Sequence, residues 1–175
     1  PLVIGKLGSS YVLASETCAL DIIGAKFVRD VENGEIVLIE KNKLNSIKPF
    51  PPKKVRPCVF EYIYFARPDS IIDDKTAYEH RKNIGVELAK ENDVDADIVV
   101  PVPDSGNAAA LGYAQHLKIN YEHGLIRNHY VGRTFIEPSQ KIRSLGVKLK
   151  LNANQTTIKN KKIALIDDSL VRGTT

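Results

Sequence analysis

The sequence predicts an α/β protein in two parts: a β-rich beginning, then helices and strands alternating around a parallel sheet. Three observations predict it. Four short strand-like runs fall before residue 41, the stretch KPFPPKKVRP places four prolines within residues 48–57, and apolar runs beyond it alternate with helical patterns. Proline withdraws backbone donors and disfavours helix in the residue before it, so 48–57 cannot be a central strand. It is the expected boundary between one domain over residues 1–50 and a second over 51–175.

In chain order, LVIG, SYVLAS, AKFVRDV and EIVLIE read as strands, and Asn33-Gly34 predicts a hairpin between the last two. TCALDIIG reads as a short helix with Thr17 as cap and Gly24 as stop. Asp73 and Asp74 are expected to cap a helix through KTAYEHRKNIGVELAKEN, with Ala77, Ile84 and Leu88 on one face. DIVVPV is an apolar run punctuated by proline, and NAAALGYAQHL is a helix rich in small residues. KKIALID carries continuous apolar residues from Ile163 to Ile166, the pattern of a strand buried on both faces. The interval 129–160 is polar, basic and weakly periodic, and predicts a long loop, functional or disordered.

The 175 residues suffice for one ordinary domain or for pieces of two. A net charge of +4 fits an anionic ligand without by itself arguing for nucleic acid. Two cysteines make no disulfide framework, no apolar run approaches a membrane span, and the default setting is reducing and cytoplasmic. No methionine occurs and residue 1 is proline, from which an internal fragment is expected.

The chemistry concentrates at two strand ends. Asp167 and Asp168 follow the last apolar run, and adjacent like charges need a cation or hydrogen-bond donors. Mg²⁺ meets that need, and so does a vicinal diol. SLVRGTT then adds successive N–H groups, three hydroxyls and a glycine, so Ser169, Arg172, Gly173, Thr174 and Thr175 suit an anion cradle. A diol beside a phosphate describes a ribose 5-phosphate; an acidic turn with a helix cap is the alternative. The second strand end, VPVPDSG, places Asp104, Ser105 and Gly106 before a helix. Ser105 can offer an oxygen to the same metal and the turn can offer N–H groups to a pyrophosphate, against the alternative of an ordinary N-cap. Arg133, Lys141, Arg143, Lys148 and Lys150 suit a lid that closes on a polyphosphate and excludes water.

ALIDDSLVRGTT resembles the phosphoribosyl pyrophosphate (PRPP) signature of type I phosphoribosyltransferases. CVFEYIYFARPDS, PVPDSG, NHYVGRTFIEPSQKIR and KLKLNAN resemble a narrower family, the glutamine PRPP amidotransferases or amidophosphoribosyltransferases. The first residues, PLVIGKLGSSYVLASETCALDIIGAKFVRDVENGEI, resemble the end of that family's N-terminal nucleophile (Ntn) glutaminase domain. The implied fold is therefore the end of an Ntn glutaminase domain followed by a truncated type I phosphoribosyltransferase domain with a parallel sheet.

The resemblance implies an enzyme of the first committed step of purine synthesis, in which glutamine-derived ammonia displaces pyrophosphate from PRPP to give 5-phosphoribosylamine. It implies that Asp167 and Asp168 hold the ribose hydroxyls and Mg²⁺, that Ser105 joins the metal, and that Ser169 to Thr175 cradle the 5-phosphate. Asp104 to Gly106 would form the pyrophosphate loop, and about Asn128 to Lys150 the lid, with Tyr130 and Arg133 acting in catalysis and Tyr130 lining the ammonia path. The family motif reads Asn-Arg-Tyr where this chain has Asn128-His129-Tyr130. The glutaminase nucleophile should be an N-terminal cysteine, a place neither Cys18 nor Cys58 takes, so this piece alone is expected to be inactive. Cys58 is a candidate ligand of a [4Fe–4S] cluster, with a structural thiol as the alternative. Arg67 and Asp69 suit a domain interface or a structural ion pair. Purine nucleotides as feedback inhibitors and a homo-oligomer of the full-length protein are implied as well, with no membrane or nucleic-acid partner. The competing functions are a phosphoribosyltransferase-like regulator that binds nucleotide or RNA, and a salvage phosphoribosyltransferase, for which no base-stacking hood is identified.

Overall fold

The computed structural model describes residues 1–132 and 139–170 and divides into two compact units, Pro1–Tyr78 and Glu79–Thr175. In the first, β1 (Val3–Leu7) lies between β2 (Ser10–Ala14) and, later in the chain, β3 (Lys26–Asp30), both antiparallel to it. A two-residue turn at Gly8-Ser9 joins β1 to β2. Helix α1 (Thr17–Ile22) precedes β3 and ends before Gly24, whose φ of +69° is the left-handed conformation that glycine adopts without steric cost. Leu20 of α1 presses on β1 at Gly5, where a Cβ would lie 2.6 Å from Leu20 Cδ2. Val3, Leu20 and Ala25 form the small core here.

Three local expectations need correction. Asn33-Gly34 does not join two paired strands: β3 pairs with β1, and β4 (Ile36–Glu40) pairs with β5 (Lys43–Ile47), a strand not anticipated. The two-residue hairpin turn is Lys41-Asn42, with φ of 46° and 60°, the left-handed pair that such a turn demands. The 31–35 connection is instead held by Glu35, which accepts from Arg29 Nη2 at 2.6 Å and from the Glu32 N–H at 2.8 Å. The hydrogen bond from Arg29 is the main reason that the Glu35 carboxyl falls to about 2. Thr17 does not cap α1, since its Oγ1 accepts from the Ile71 N–H. Asp73 and Asp74 do not cap the next helix. With φ of 48° and 64° they turn a hairpin between β6 (Ile71–Ile72) and β7 (Lys75–Thr76). Between β5 and β6, residues 48–58 take no regular structure, and Glu61–Phe65 form a π-helical turn in which the Ala66 N–H donates to the Glu61 carbonyl.

Helix α2 (Ala77–Glu91) leads into the second unit. Its buried side is the expected one only in part: Ala77 is buried and Leu88 packs against the core, but Ile84 is exposed, and Arg81, Gly85 and Ala89 are the other buried residues. The reason is close packing on α3 (Asn107–Leu117): a Cβ at Gly85 would lie 1.9 Å from the Ala109 carbonyl oxygen, and one at Gly112 would lie 1.9 Å from that of Lys82. Between them comes β8 (Ile98–Pro101), fully buried, and after α3 come β9 (Asn120–Tyr121) and β10 (Leu125–Arg127). The interval 129–160 is not the long loop expected. It contains α4 (Gln140–Lys150), β11 (Leu151–Ala153) paired antiparallel with β10, and the short α5 (Gln155–Ile158). Weak hydrophobic periodicity hid a strand that finds its partner only through tertiary pairing. Last comes β12 (Ile163–Ile166), parallel to β8, in a sheet ordered β12-β8-β9. The parallel sheet is as predicted, but β12 buries one face only, with Ala164 and Ile166 inward and Ile163 and Leu165 exposed. Val99, Ala110, Tyr113, Ala114, Ala164 and Ile166 make the core beneath it.

Candidate functional site

The two strand ends singled out in the sequence adjoin. Ile166 pairs with Pro101 across β12 and β8, and the Val102 N–H then donates to the Ile166 carbonyl at 2.8 Å. That carries the ladder one residue past the strands and sets Asp167 beside the start of the Val102–Gly106 turn. Gly106 closes the turn: its N–H donates to the Val102 carbonyl at 2.9 Å, and a Cβ there would lie 2.5 Å from the Ile166 carbonyl oxygen. The residue has no left-handed φ, so space alone requires the glycine. The first turn of α3 starts here, with the Ala110 N–H on the Gly106 carbonyl. The site thus lies at the carboxyl ends of parallel strands, where open α/β sheets hold ligands.

The acidic side chains meet different fates. Asp168 donates its N–H to Asp167 Oδ1 at 2.9 Å and accepts from Ser169 Oγ at 3.0 Å. The Asp167 carboxyl is raised to about 6, first by desolvation, then by its side-chain hydrogen bond and charge repulsion with Asp168, against partial offsets from the Asp168 N–H and then from Lys150. Asp104 forms an ion pair with Arg127 at the end of β10, and the Pro103–Asp104 peptide is cis. Among the described residues, Arg127 Nε and Asn107 Oδ1 are buried without a hydrogen-bond partner. Ser105 is half-buried between Asp104 and Gly106.

The structure therefore gathers Asp104, Gly106, Asp167, Asp168 and Ser169, with Lys150 of α4 near enough to act on Asp167. Tyr130 is fully exposed to solvent. Arg133, Arg172, Gly173, Thr174 and Thr175 lie outside the described residues. Sequence reading missed Arg127. Its one signal was a cation closing an apolar run, LIRN, too common a pattern to single out.

Adjacent carboxyls are a donor set that a hard dication would satisfy, so Asp167 and Asp168, with the Ser105 hydroxyl as a further oxygen, fit Mg²⁺. A [4Fe–4S] cluster takes four cysteine ligands. Cys18 is buried with its thiol toward Glu16 and only Cys58 is exposed, so the residues of this chain alone do not fit a cluster. Arg67 makes a two-pronged ion pair with Asp69, at 3.0 and 2.9 Å.

No family model matches the chain. It is 59% identical over its whole length to the amidophosphoribosyltransferase of Rhizobium etli and 47% identical to that of Archaeoglobus fulgidus, spanning 36% and 38% of those proteins. Among solved structures, it is similar at 49% identity and a TM-score of 0.89 to the glutamine PRPP amidotransferase of B. subtilis complexed with ADP and GMP, covering 99% of this chain and 38% of that one. A structure described as the allosteric regulatory enzyme of purine biosynthesis matches with the same TM-score at 50% identity. The chain thus spans little more than a third of the proteins it matches, and along that stretch it is similar in sequence and in fold to amidophosphoribosyltransferases.

Proposed function

We propose that a protein carrying this chain at the full length of its relatives is an amidophosphoribosyltransferase, and that the paired strand ends are its PRPP site. The observation that carries this reading is the seating of Gly106 under the Ile166 carbonyl, which puts a turn suited to pyrophosphate beside a carboxyl pair suited to a ribose diol. Residues 1–50 then close an Ntn glutaminase domain and residues 51–175 open the phosphoribosyltransferase domain.

In this reading Asp167 and Asp168 accept the ribose 2- and 3-hydroxyls, and Ser169, Arg172, Gly173, Thr174 and Thr175 hold the 5-phosphate. Asp104, Ser105 and Gly106 receive the pyrophosphate, and residues from about Asn128 to Lys150, with Tyr130 and Arg133, close over it. Ammonia attacks C1 as the C1–oxygen bond to pyrophosphate breaks, and the nitrogen then loses a proton to give the amine. Ammonia needs little activation, so the side chains work by positioning, by neutralising charge and by excluding water. Mg²⁺, held by Asp167, Asp168 and Ser105, would supply charge neutralisation of the leaving group. Cys58 would be at most one ligand of a [4Fe–4S] cluster. Cytoplasmic location, homo-oligomers and inhibition by purine nucleotides complete the reading; among the described residues no helix is long and apolar enough to cross a membrane, and one similar structure holds ADP and GMP. Nothing observed favours the RNA-binding regulator.

The test is ammonia-dependent phosphoribosylamine formation with Mg²⁺ by the full-length protein and its Asp167→Asn and Asp168→Asn variants. Each variant is expected to lose about a hundredfold or more of the rate, the scale of a lost charge or positioning contact. Near-parental rates in both would overturn the site.

A further inference from the structure

Ahead of α1, Glu16 makes contacts that its place in the chain does not explain. A residue before a helix usually caps it, yet the Glu16 side chain makes no capping hydrogen bond. Its Oε2 instead accepts from the Arg67 N–H at 2.7 Å and from Ser70 Oγ at 2.6 Å, across more than fifty residues. Next to it, Thr17 Oγ1 accepts from the Ile71 N–H at 2.8 Å. Ser70 and Thr17 are both buried. Two consecutive side chains thus grip three points of one short segment, Arg67 to Ile71.

That segment in turn holds the start of α2. The Ala77 N–H donates to the Ser70 carbonyl at 2.8 Å and the Tyr78 N–H to the Pro68 carbonyl at 2.9 Å, so two N–H groups of the first helical turn are satisfied by the gripped residues. The proline-rich boundary lies at 48–57, yet residues up to Tyr78 belong to the first compact unit. The grip of Glu16 and Thr17 is a physical reason: it ties sequence from beyond the boundary to the β-rich part.

We propose that Glu16, seconded by Thr17, is a positioning residue that couples the glutamine-hydrolysing part of the protein to the phosphoribosyl part by fixing the 67–78 segment. The proposal rests on the function proposed above. A coupling residue makes a particular prediction: ammonia supplied from solution bypasses it, and ammonia supplied from glutamine does not.

The experiment compares the full-length protein with its Glu16→Ala, Glu16→Gln and Thr17→Val variants. Three quantities are measured: glutamine-dependent synthesis, ammonia-dependent synthesis, and hydrogen exchange at the Arg67 and Ile71 amides. In Glu16→Ala, exchange at Arg67 should accelerate and glutamine-dependent synthesis should fall by about tenfold or more, the scale of a displaced contact, while ammonia-dependent synthesis stays within about twofold. Glu16→Gln keeps an acceptor oxygen without the charge and should fall between. Thr17→Val should accelerate exchange at Ile71. Unchanged exchange in both Glu16 variants would remove the grip itself. Faster exchange with the two syntheses falling together, or neither falling, would overturn the coupling. A parent that makes no phosphoribosylamine from ammonia would sink the proposed function, while the exchange data would still judge the grip.

Discussion

Two acidic strand ends stand side by side in the second unit, and they are treated in opposite ways. At the end of β8, Asp104 is answered from within the chain by Arg127. At the end of β12, Asp167 faces another carboxyl, and its titration rises to about 6 first through desolvation and then through that neighbour. A fold can neutralise an acid with an arginine or leave it short of positive charge. The first choice makes a finished loop. The second makes a place that a cation or a pair of hydroxyls completes, and the difference separates a loop whose acid is met within the chain from carboxyls that a ligand would meet.

The comparison depends on the two ends being held together, so its severest test is Gly106→Ala. The new methyl would meet two carbonyl oxygens, those of Ile166 and Val102 at 2.5 and 2.9 Å, and backbone atoms cannot swing aside as a side chain can. The expected loss is about 2–3 kcal/mol, read as a lower urea midpoint. Gly132→Ala, with nothing within 4 Å of the added carbon, is the control and should stay within about 0.5 kcal/mol. A Gly106→Ala protein as stable as the control would mean that the two ends do not touch.

A weaker effect separates the two acids by pH. The folded Asp167 carboxyl titrates near 6 against an ordinary value of 3.8. Between those values the folded state binds the proton that the unfolded state has released, so stability falls as pH rises from about 4 to about 6. Asp167 is more than a third exposed, and screening reduces the expected fall to about 1 kcal/mol or less. Asp168 pushes its titration up and Lys150 pulls it down, and both stay in place in Asp167→Asn, which should abolish the slope and raise stability at pH 7. Adding Mg²⁺ to the unsubstituted protein should move the titration of this carboxyl downward, as followed by carbon NMR. A slope that survives Asp167→Asn belongs to another group.

How much of this was legible beforehand follows from what each residue needs. The parallel strands and α3 were readable because Ile98–Pro101, Ile163–Ile166 and the small residues of 107–117 carry their pattern locally. That Asp104, Gly106, Asp167 and Asp168 lie together was readable because they fall at the ends of neighbouring strands, a placement that can be read from order alone. The pairing of β10 with β11 was not readable, because it joins residues about 25 apart through a register that only the packed chain defines. The hairpins at Lys41-Asn42 and Asp73-Asp74 were missed for another reason. They use left-handed residues that are not glycine, while a genuine Asn-Gly lay nearby and made no hairpin. Arg127 was hidden because its importance lies in its partner, Asp104, 23 residues away.

The smallest effect is the most discriminating, because its sign differs between the two ends. Asp104→Asn keeps the shape of the side chain and removes the charge facing Arg127. An ion pair this exposed contributes about 0.5–1 kcal/mol, so the substitution should destabilise by that amount at low salt and by less as salt screens the pair. Among the described residues, Arg127 Nε is buried without a hydrogen-bond partner, so none of them offers the arginine a second acceptor there. Asp167→Asn at pH 7 should move stability the other way, since it relieves one carboxylate of another. Urea midpoints for the two variants, measured at pH 7 in low and high salt, should therefore diverge from the parent in opposite directions and converge as salt rises. Shifts of the same sign would show that the two ends bear the same electrostatic load, and the distinction between a framed loop and an open ligand seat would fall with it.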